Sequence, residues 1–225
     1  LSLVGSEMCI RDSSWSDGSI GPKHLTLTVT PKELTAVTFK HGTTALSGAT
    51  PEVAYTGSPV IISASATGVG GDGTLTLPVW YGGDNVNAGT FTATALNGNP
   101  NYKIAASLLS KNIKITPKEL TSVSWTVANN EEVAYNGSDF TPKAWYVSAS
   151  GEQVYLPVTL EKDDGTGTYV SASDAVNAGK YKATVAAGTY NGNYQIKTAQ
   201  SVTFTVTKAQ ITADDIEWNF LAGTK

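Results

Sequence analysis

The sequence is poor in the residues that most chemistry requires. Among 225 residues there is one cysteine, Cys9, one methionine, Met8, and two histidines, His24 and His41. A single cysteine closes no disulfide within the chain and builds no thiolate metal site. Both histidines lie near turn residues in one half of the chain, and no Gly-x-Ser-x-Gly is present, which argues against a hydrolytic triad or a histidine metal centre. No apolar run approaches the roughly 18 residues of a membrane-spanning helix. Basic charge is also scarce. The 15 Lys and Arg are outnumbered by 19 Asp and Glu, the net charge is −4, and the cations are dispersed, so nucleic acid is not an expected partner.

What the chain has instead is glycine, 22 residues of it, with frequent Thr, Ser and Ala. That composition suits many short strands and turns and leaves little material for long helices, so an all-β fold is expected. The stretch Val176-Asn-Ala-Gly-Lys-Tyr-Lys-Ala183 has a near-copy in Val86-Asn-Ala-Gly-Thr-Phe-Thr-Ala93. Period-two alternation puts Tyr181, Ala183 and Val185 on one face of a strand, and Lys180, Lys182 and Thr184 on the other.

Further landmarks recur in the same order. Val29-Thr-Pro-Lys-Glu-Leu-Thr35 returns as Ile115-Thr-Pro-Lys-Glu-Leu-Thr121 and, more weakly, as Val206-Thr-Lys-Ala-Gln-Ile-Thr212. Val53-Ala-Tyr-Thr-Gly57 matches Val133-Ala-Tyr-Asn-Gly137, Leu77-Pro-Val79 matches Leu156-Pro-Val158, and Asn101-Tyr102 matches Asn193-Tyr194. Spacing drifts only between landmarks, as loops vary on a fixed strand framework. The chain therefore divides into a linker over residues 14–24, a first repeat over 25–115, a second over 116–206 and a truncated start of a third over 207–225. A longer array is expected beyond it.

In the second repeat, strands are expected near Leu120–Val127, Glu132–Tyr135, Ala144–Ser148, Val154–Glu161, Thr168–Ser171, Gly179–Ala187 and Ser201–Thr207. In the first, the alternation that begins at Leu25 runs into Pro31, which marks a strand end or edge. Asn97-Gly98, Asn136-Gly137, Asn191-Gly192 and the cluster Asp163–Gly167 supply turns. Strand following strand without helical patterns predicts tandem antiparallel β-sandwiches without disulfides.

Residues 3–13, Leu-Val-Gly-Ser-Glu-Met-Cys-Ile-Arg-Asp-Ser, resemble the translation of a transposase sequencing adapter along their whole length. They hold the chain's only Met and Cys, and Ser6, Glu7 and Arg11 interrupt any signal-peptide core. Segment 1–13 is accordingly expected to be an artefact whose removal leaves stability unchanged.

Two resemblances follow. The corner at Asn177 and the strand after it resemble an immunoglobulin-type corner, with Asn177 where that pattern has an acid and Ala183 where it has a cysteine. Together with the Tyr-x-Gly, Asn-Tyr and Val-Thr-Lys-Ala landmarks, residues 25 to about 212 resemble the MBG (mostly beta, glycine-rich) and YDG repeat families. The resemblance implies immunoglobulin-like modules of bacterial secreted or surface proteins, often adhesin-like, with no enzymatic activity in the repeat. Thr56 and Asn136 depart from the usual Asp, Phe91 from the usual Tyr, and Pro31 and Pro117 are unusual at the boundary. Phe91 has no hydroxyl for a tyrosine-corner hydrogen bond.

Candidate chemical motifs are weak. Gly68-Val-Gly-Gly-Asp-Gly73 has dinucleotide-fingerprint spacing, but the alternating stretch after it reads as a strand, so a hairpin loop is expected. Asp163–Asp164 and Asp214–Asp215 lack the remainder of a calcium loop and read as solvated turns. Asn136-Gly-Ser138 is an acceptor for N-glycosylation only in a host with that machinery. No catalytic, cofactor or metal residue is assigned, and no cofactor is expected. Trp80–Tyr81 and Trp145–Tyr146 read as strand residues that pack; if exposed together they would make a platform for sugars. The expected role is a non-catalytic spacer at the cell surface, monomeric within a longer array. The alternative is an adhesin module that binds glycans or host and matrix proteins.

Overall fold

The computed structural model describes residues 28–216 together with the short pairing of β1 (Met8–Cys9) with β2 (His24–Leu25). Expectations for the remainder of residues 1–27, the adapter-like segment and linker included, and for 217–225 lie outside the described residues. The chain forms two compact units. The first is built from the chain up to Pro51, Ile61–Gly82 and Thr92–Asn112; the second from Glu52–Val60, Gly83–Phe91 and the chain from Ile113 onward. The second unit thus takes in two segments that belong, in sequence, to the first repeat.

The first half of the chain continues with β3 (Lys32–Leu34), β4 (Thr38–His41), β5 (Thr44–Ala45), β6 (Glu52–Ala54), β7 (Ile62–Thr67), β8 (Thr74–Leu77), β9 (Val79–Gly82), β10 (Gly89–Ala95), β11 (Tyr102–Ile104) and β12 (Ser110–Thr116). Within the first unit an antiparallel sheet has the order β5-β4-β7-β8, and β9 pairs antiparallel with the second half of β10. Alternate residues Ile62, Ala64 and Ala66 of β7 are buried, as the period of a strand with one wet face requires.

The second half comprises β13 (Lys118–Glu119), β14 (Ser124–Trp125), β15 (Glu131–Ala134), β16 (Ala144–Val147), β17 (Gln153–Leu156), β18 (Thr159–Asp163), β19 (Tyr169–Ala172), β20 (Gly179–Val185), β21 (Gly188–Tyr190), β22 (Tyr194–Ile196) and β23 (Gln200–Thr207). Three sheets have the orders β15-β23-β20-β18-β19, β14-β16-β17 and β13-β22-β21. The described fold is all-β, and its sheets meet across apolar clusters in the manner of a sandwich. One cluster holds Leu160, Tyr181, Ala183, Val202, Phe204 and Val206; the other holds Ala144, Tyr146, Leu156, Val185, Tyr194 and Ile196. The face read from sequence, Tyr181, Ala183 and Val185, is buried to 1% exposure or less.

Four expectations are corrected. The sheets are not purely antiparallel, because β3 pairs parallel with β11, β6 with β12, β13 with β22 and β15 with β23. A parallel pair cannot be closed by a hairpin, and here nearly a whole repeat intervenes between the partners. The single strand expected over Val154–Glu161 is two, β17 and β18, in different sheets. Pro157 lacks the amide a continuous ladder would need, and Val158 packs against both apolar clusters as the chain changes layer. The strand expected over Leu120–Val127 shrinks to β14, with β13 lying just before it, and β13, β21 and β22 were not anticipated. In the first half, Thr28–Pro31 carries no strand. The ladder starts after Pro31, where the Lys32 amide donates to the Asn101 carbonyl, just as Lys118 after Pro117 donates to Asn193. Beyond β23 the described chain to Ile216 forms a single 3-10 turn, Ala213–Asp215.

Candidate functional site

The aromatic pairs divide between core and surface. Tyr146 is buried, and its ring centroid lies 4.5 Å from that of Tyr194. The Tyr81 hydroxyl accepts from the Ile62 amide at 2.8 Å and donates to the Ile62 carbonyl at 3.1 Å, which ties β9 to β7. Trp80 does not follow the packing expectation. It is 58% exposed, and its indole lies over Gly82, where an added Cβ would come within 2.9 Å of the ring. In the second unit Trp145 is half-buried and stands edge-on to Tyr155, its cross-strand partner, at 6.3 Å. Tyr155 is 60% exposed, and sequence reading had not singled it out. Period-two alternation was its signal, since Val154 and Leu156 flank it.

The residues shared by the two repeats form a denser arrangement, all inside the second unit. The Asn193 side chain accepts from the Ala88 amide at 2.7 Å and donates to Asn87 Oδ1 at 2.8 Å. Asn87 in turn donates to Asp84, whose carboxylate also accepts the Val86 and Asn87 amides. The Asn87 side chain first, then these amides, hold the Asp84 carboxyl below its ordinary range. Tyr55 meets the ring of Tyr194 edge-on at 5.5 Å, and burial followed by that neighbour pushes the Tyr55 phenol up. Gly57, at φ +84°, is pressed against Ala149, and an added Cβ would lie 2.3 Å from the Ala149 Cβ. The Tyr194 hydroxyl accepts from the Ala149 amide at 2.6 Å, which fixes that loop. A Tyr-x-Gly turn and an Asn-Ala corner from the first repeat therefore grip the Asn-Tyr pair of the second. Sequence reading found each motif as a landmark and missed that they touch.

The same local geometry recurs without that partner. The Tyr55 amide bonds the Thr116 carbonyl and Tyr135 bonds Thr207; Thr116 and Thr207 hydroxyls reach Val53 and Val133 carbonyls in turn. The Tyr102 hydroxyl accepts from the Val69 amide at 2.8 Å, as Tyr194 does from Ala149, and also donates to Asp72. The Asp72 contact raises the Tyr102 phenol.

The remaining sequence candidates resolve into turns. Gly68–Gly73 closes the β7–β8 hairpin, with the Gly68 amide on the Gly73 carbonyl at 2.8 Å. Asp163 Oδ1 accepts the Gly165 and Gly167 amides, Asp164 accepts Thr166, and Asp215 caps Thr212. Asn136 accepts the Ser138 amide in the same way. His41 ends β4, half-buried, while the side chain of His24 lies outside the described residues. Among the described residues no three His, Cys, Asp or Glu side chains gather as metal ligands, and no helix is long and apolar enough to cross a membrane. No protein-family model and no curated protein matches the chain.

Proposed function

We propose that the chain is a non-catalytic spacer, a tandem of immunoglobulin-like repeats of the MBG or YDG kind from a bacterial surface or secreted protein. One observation carries the reading. The residues that the two repeats share turn inward on structure: they build a corner, as the Tyr181 hydroxyl does on the Asn177 carbonyl at 2.6 Å, or they lock one motif to another, as Asn193 does. A site evolved for substrate would instead converge polar groups on open space. Small-angle scattering on the full chain tests the reading. A compact globule of this length has a radius of gyration of about 17 Å, whereas two repeats in line, centres about 40 Å apart, give about 23 Å. A value near 17 Å defeats the spacer.

A second reading is favoured by the exposed rings. Trp80 in one unit, and Trp145 with Tyr155 in the other, are flat apolar surfaces of the kind on which sugars stack. Screening the chain against glycans and matrix proteins decides it. Reproducible binding lost on Trp80→Ala or Trp145→Ala promotes the adhesin reading over the spacer.

A further inference from the structure

The motif contact has an unfilled counterpart in the same chain. In the second repeat the turn Tyr135–Gly137 repeats the backbone of Tyr55–Gly57, with Gly137 at φ +77° beside Gly57's +84°. Around Gly57 an added Cβ strikes Ala149; around Gly137 it meets nothing within 4 Å. Tyr55 is half-buried against Tyr194, while Tyr135 is 40% exposed. The Ala88 amide is held by Asn193, whereas the equivalent Ala178 amide and the Asn177 side chain make no hydrogen bond among the described residues.

The complementary half is also present and also free. Asn101, the equivalent of Asn193, is exposed, and its side chain makes no hydrogen bond among the described residues, whereas Asn193 makes two. Beside it Val69 occupies the place of Ala149, its amide likewise on a tyrosine hydroxyl, and its side chain is 52% exposed. The second unit therefore shows an amide donor, a side-chain amide and a part-exposed tyrosine two residues before an uncovered glycine. The first unit shows a free carboxamide and an exposed apolar side chain.

We infer that the Tyr135–Gly137 turn and the Asn177–Ala178 corner form a docking surface for the Asn101 and Val69 edge of a second copy of this chain. The contact reproduces between molecules what Asn193 and Ala149 already make within the second unit, so the inference rests on reading the shared motifs as a joint. Asn101 accepts from the Ala178 amide and donates to Asn177, and Val69 packs on Tyr135 over Gly137. The two surfaces differ, so the association is head-to-tail. A contact of so few residues is small, and a weak affinity follows, with Kd of about 0.1 to 1 mM.

Amide NMR spectra of the full chain, recorded from about 50 µM to about 1 mM, test it. Concentration-dependent shifts are expected at Gly137, Asn177, Ala178, Val69 and Asn101, with Ala88 and Asn193 unmoved. The substitutions Asn101→Ala and Asn177→Ala fall on exposed side chains outside both apolar clusters, and an unchanged Ala88 resonance verifies the fold. Each variant alone should lose the shifts by at least tenfold in apparent affinity. Mixed together, the two variants should regain the shifts through a single one-to-one pairing at the original affinity, because Asn177→Ala supplies an intact Asn101 to the intact Asn177 of Asn101→Ala. Spectra independent of concentration up to 1 mM, or shifts that persist in Asn101→Ala, overturn the docking surface. Scattering near 23 Å with no such shifts would leave the spacer intact and remove only this surface, so the two readings fail separately.

Discussion

Gly57 and Gly137 are matched for backbone and mismatched for surroundings, so alanine at each separates conformational cost from packing cost. Both glycines sit at positive φ, where a side chain costs about 1 to 2 kcal/mol. At Gly137 that is the whole effect, because the space is open. At Gly57 the new methyl lands 2.3 Å from the Ala149 Cβ, a separation that real carbons do not tolerate, and forcing the two segments apart adds about 1 to 3 kcal/mol. The expected losses are therefore about 2 to 5 kcal/mol for Gly57→Ala and about 1 to 2 kcal/mol for Gly137→Ala. Urea unfolding followed by tryptophan fluorescence reads the difference as a midpoint shift at constant slope. Replacing Ala149 by Gly in the Gly57→Ala background should restore most of the packing share and none of the conformational share. Equal midpoints for the two single variants would refute the claim that Gly57 is a contact residue.

Three more outcomes are open to measurement. Tyr181→Phe should cost about 0.5 to 1.5 kcal/mol, the net worth of its hydroxyl on the Asn177 carbonyl, and an unchanged denaturation midpoint would dismiss the corner bond. Tyr146→Phe should be neutral or stabilising by up to about 1 kcal/mol, because the Tyr146 hydroxyl is buried without a partner among the described residues; a clear loss of stability contradicts this. Burial tends to raise the Asp139 carboxyl, but hydrogen bonds from the Ala175 amide and from Thr141 outweigh it, so its pKa lies below the ordinary value. Stability from such a group is present above the unfolded pKa of about 3.9 and lost as pH falls through the lower folded value. Thermal midpoints of Asp139→Asn should accordingly fall less steeply with acid than those of the parent, and parallel curves would exclude the linkage.

Alternation and repetition made much of the second unit legible. The burial of Tyr181, Ala183 and Val185 follows from period two alone, and the Asn136 and Asp163 turns follow from side chains that satisfy their own backbone. What stayed hidden was pairing at long range. The Thr207 hydroxyl reaches a carbonyl 74 residues back, and no local pattern reports which distant strand lies alongside. The break between β17 and β18 was signalled by Pro157, yet the apolar run on either side concealed that the two halves serve different layers. The candidate site was harder for a different reason. Asn193 reads as a loop polar residue until the fold brings Asn87 and Ala88 to it, and only then does the Asn-Tyr landmark acquire a chemical purpose.

The parallel pairing of β15 with β23 has a mechanical side. The register runs from Glu131 beside Phe204 to Ala134 beside Thr207, and the chain enters the ladder at Glu131 and leaves it at Thr207, at opposite ends. Tension along the polypeptide therefore drags the two strands past each other and loads their backbone hydrogen bonds together. In a hairpin such as β18–β19 the same pull, applied at the two open ends, would peel the bonds apart one at a time. Rupture under shear needs several bonds to fail at once, and forced unfolding is governed by that barrier rather than by equilibrium stability. Strength under load thus resides in the short parallel ladders, β15 with β23 and, earlier in the chain, β13 with β22, rather than in the hairpins.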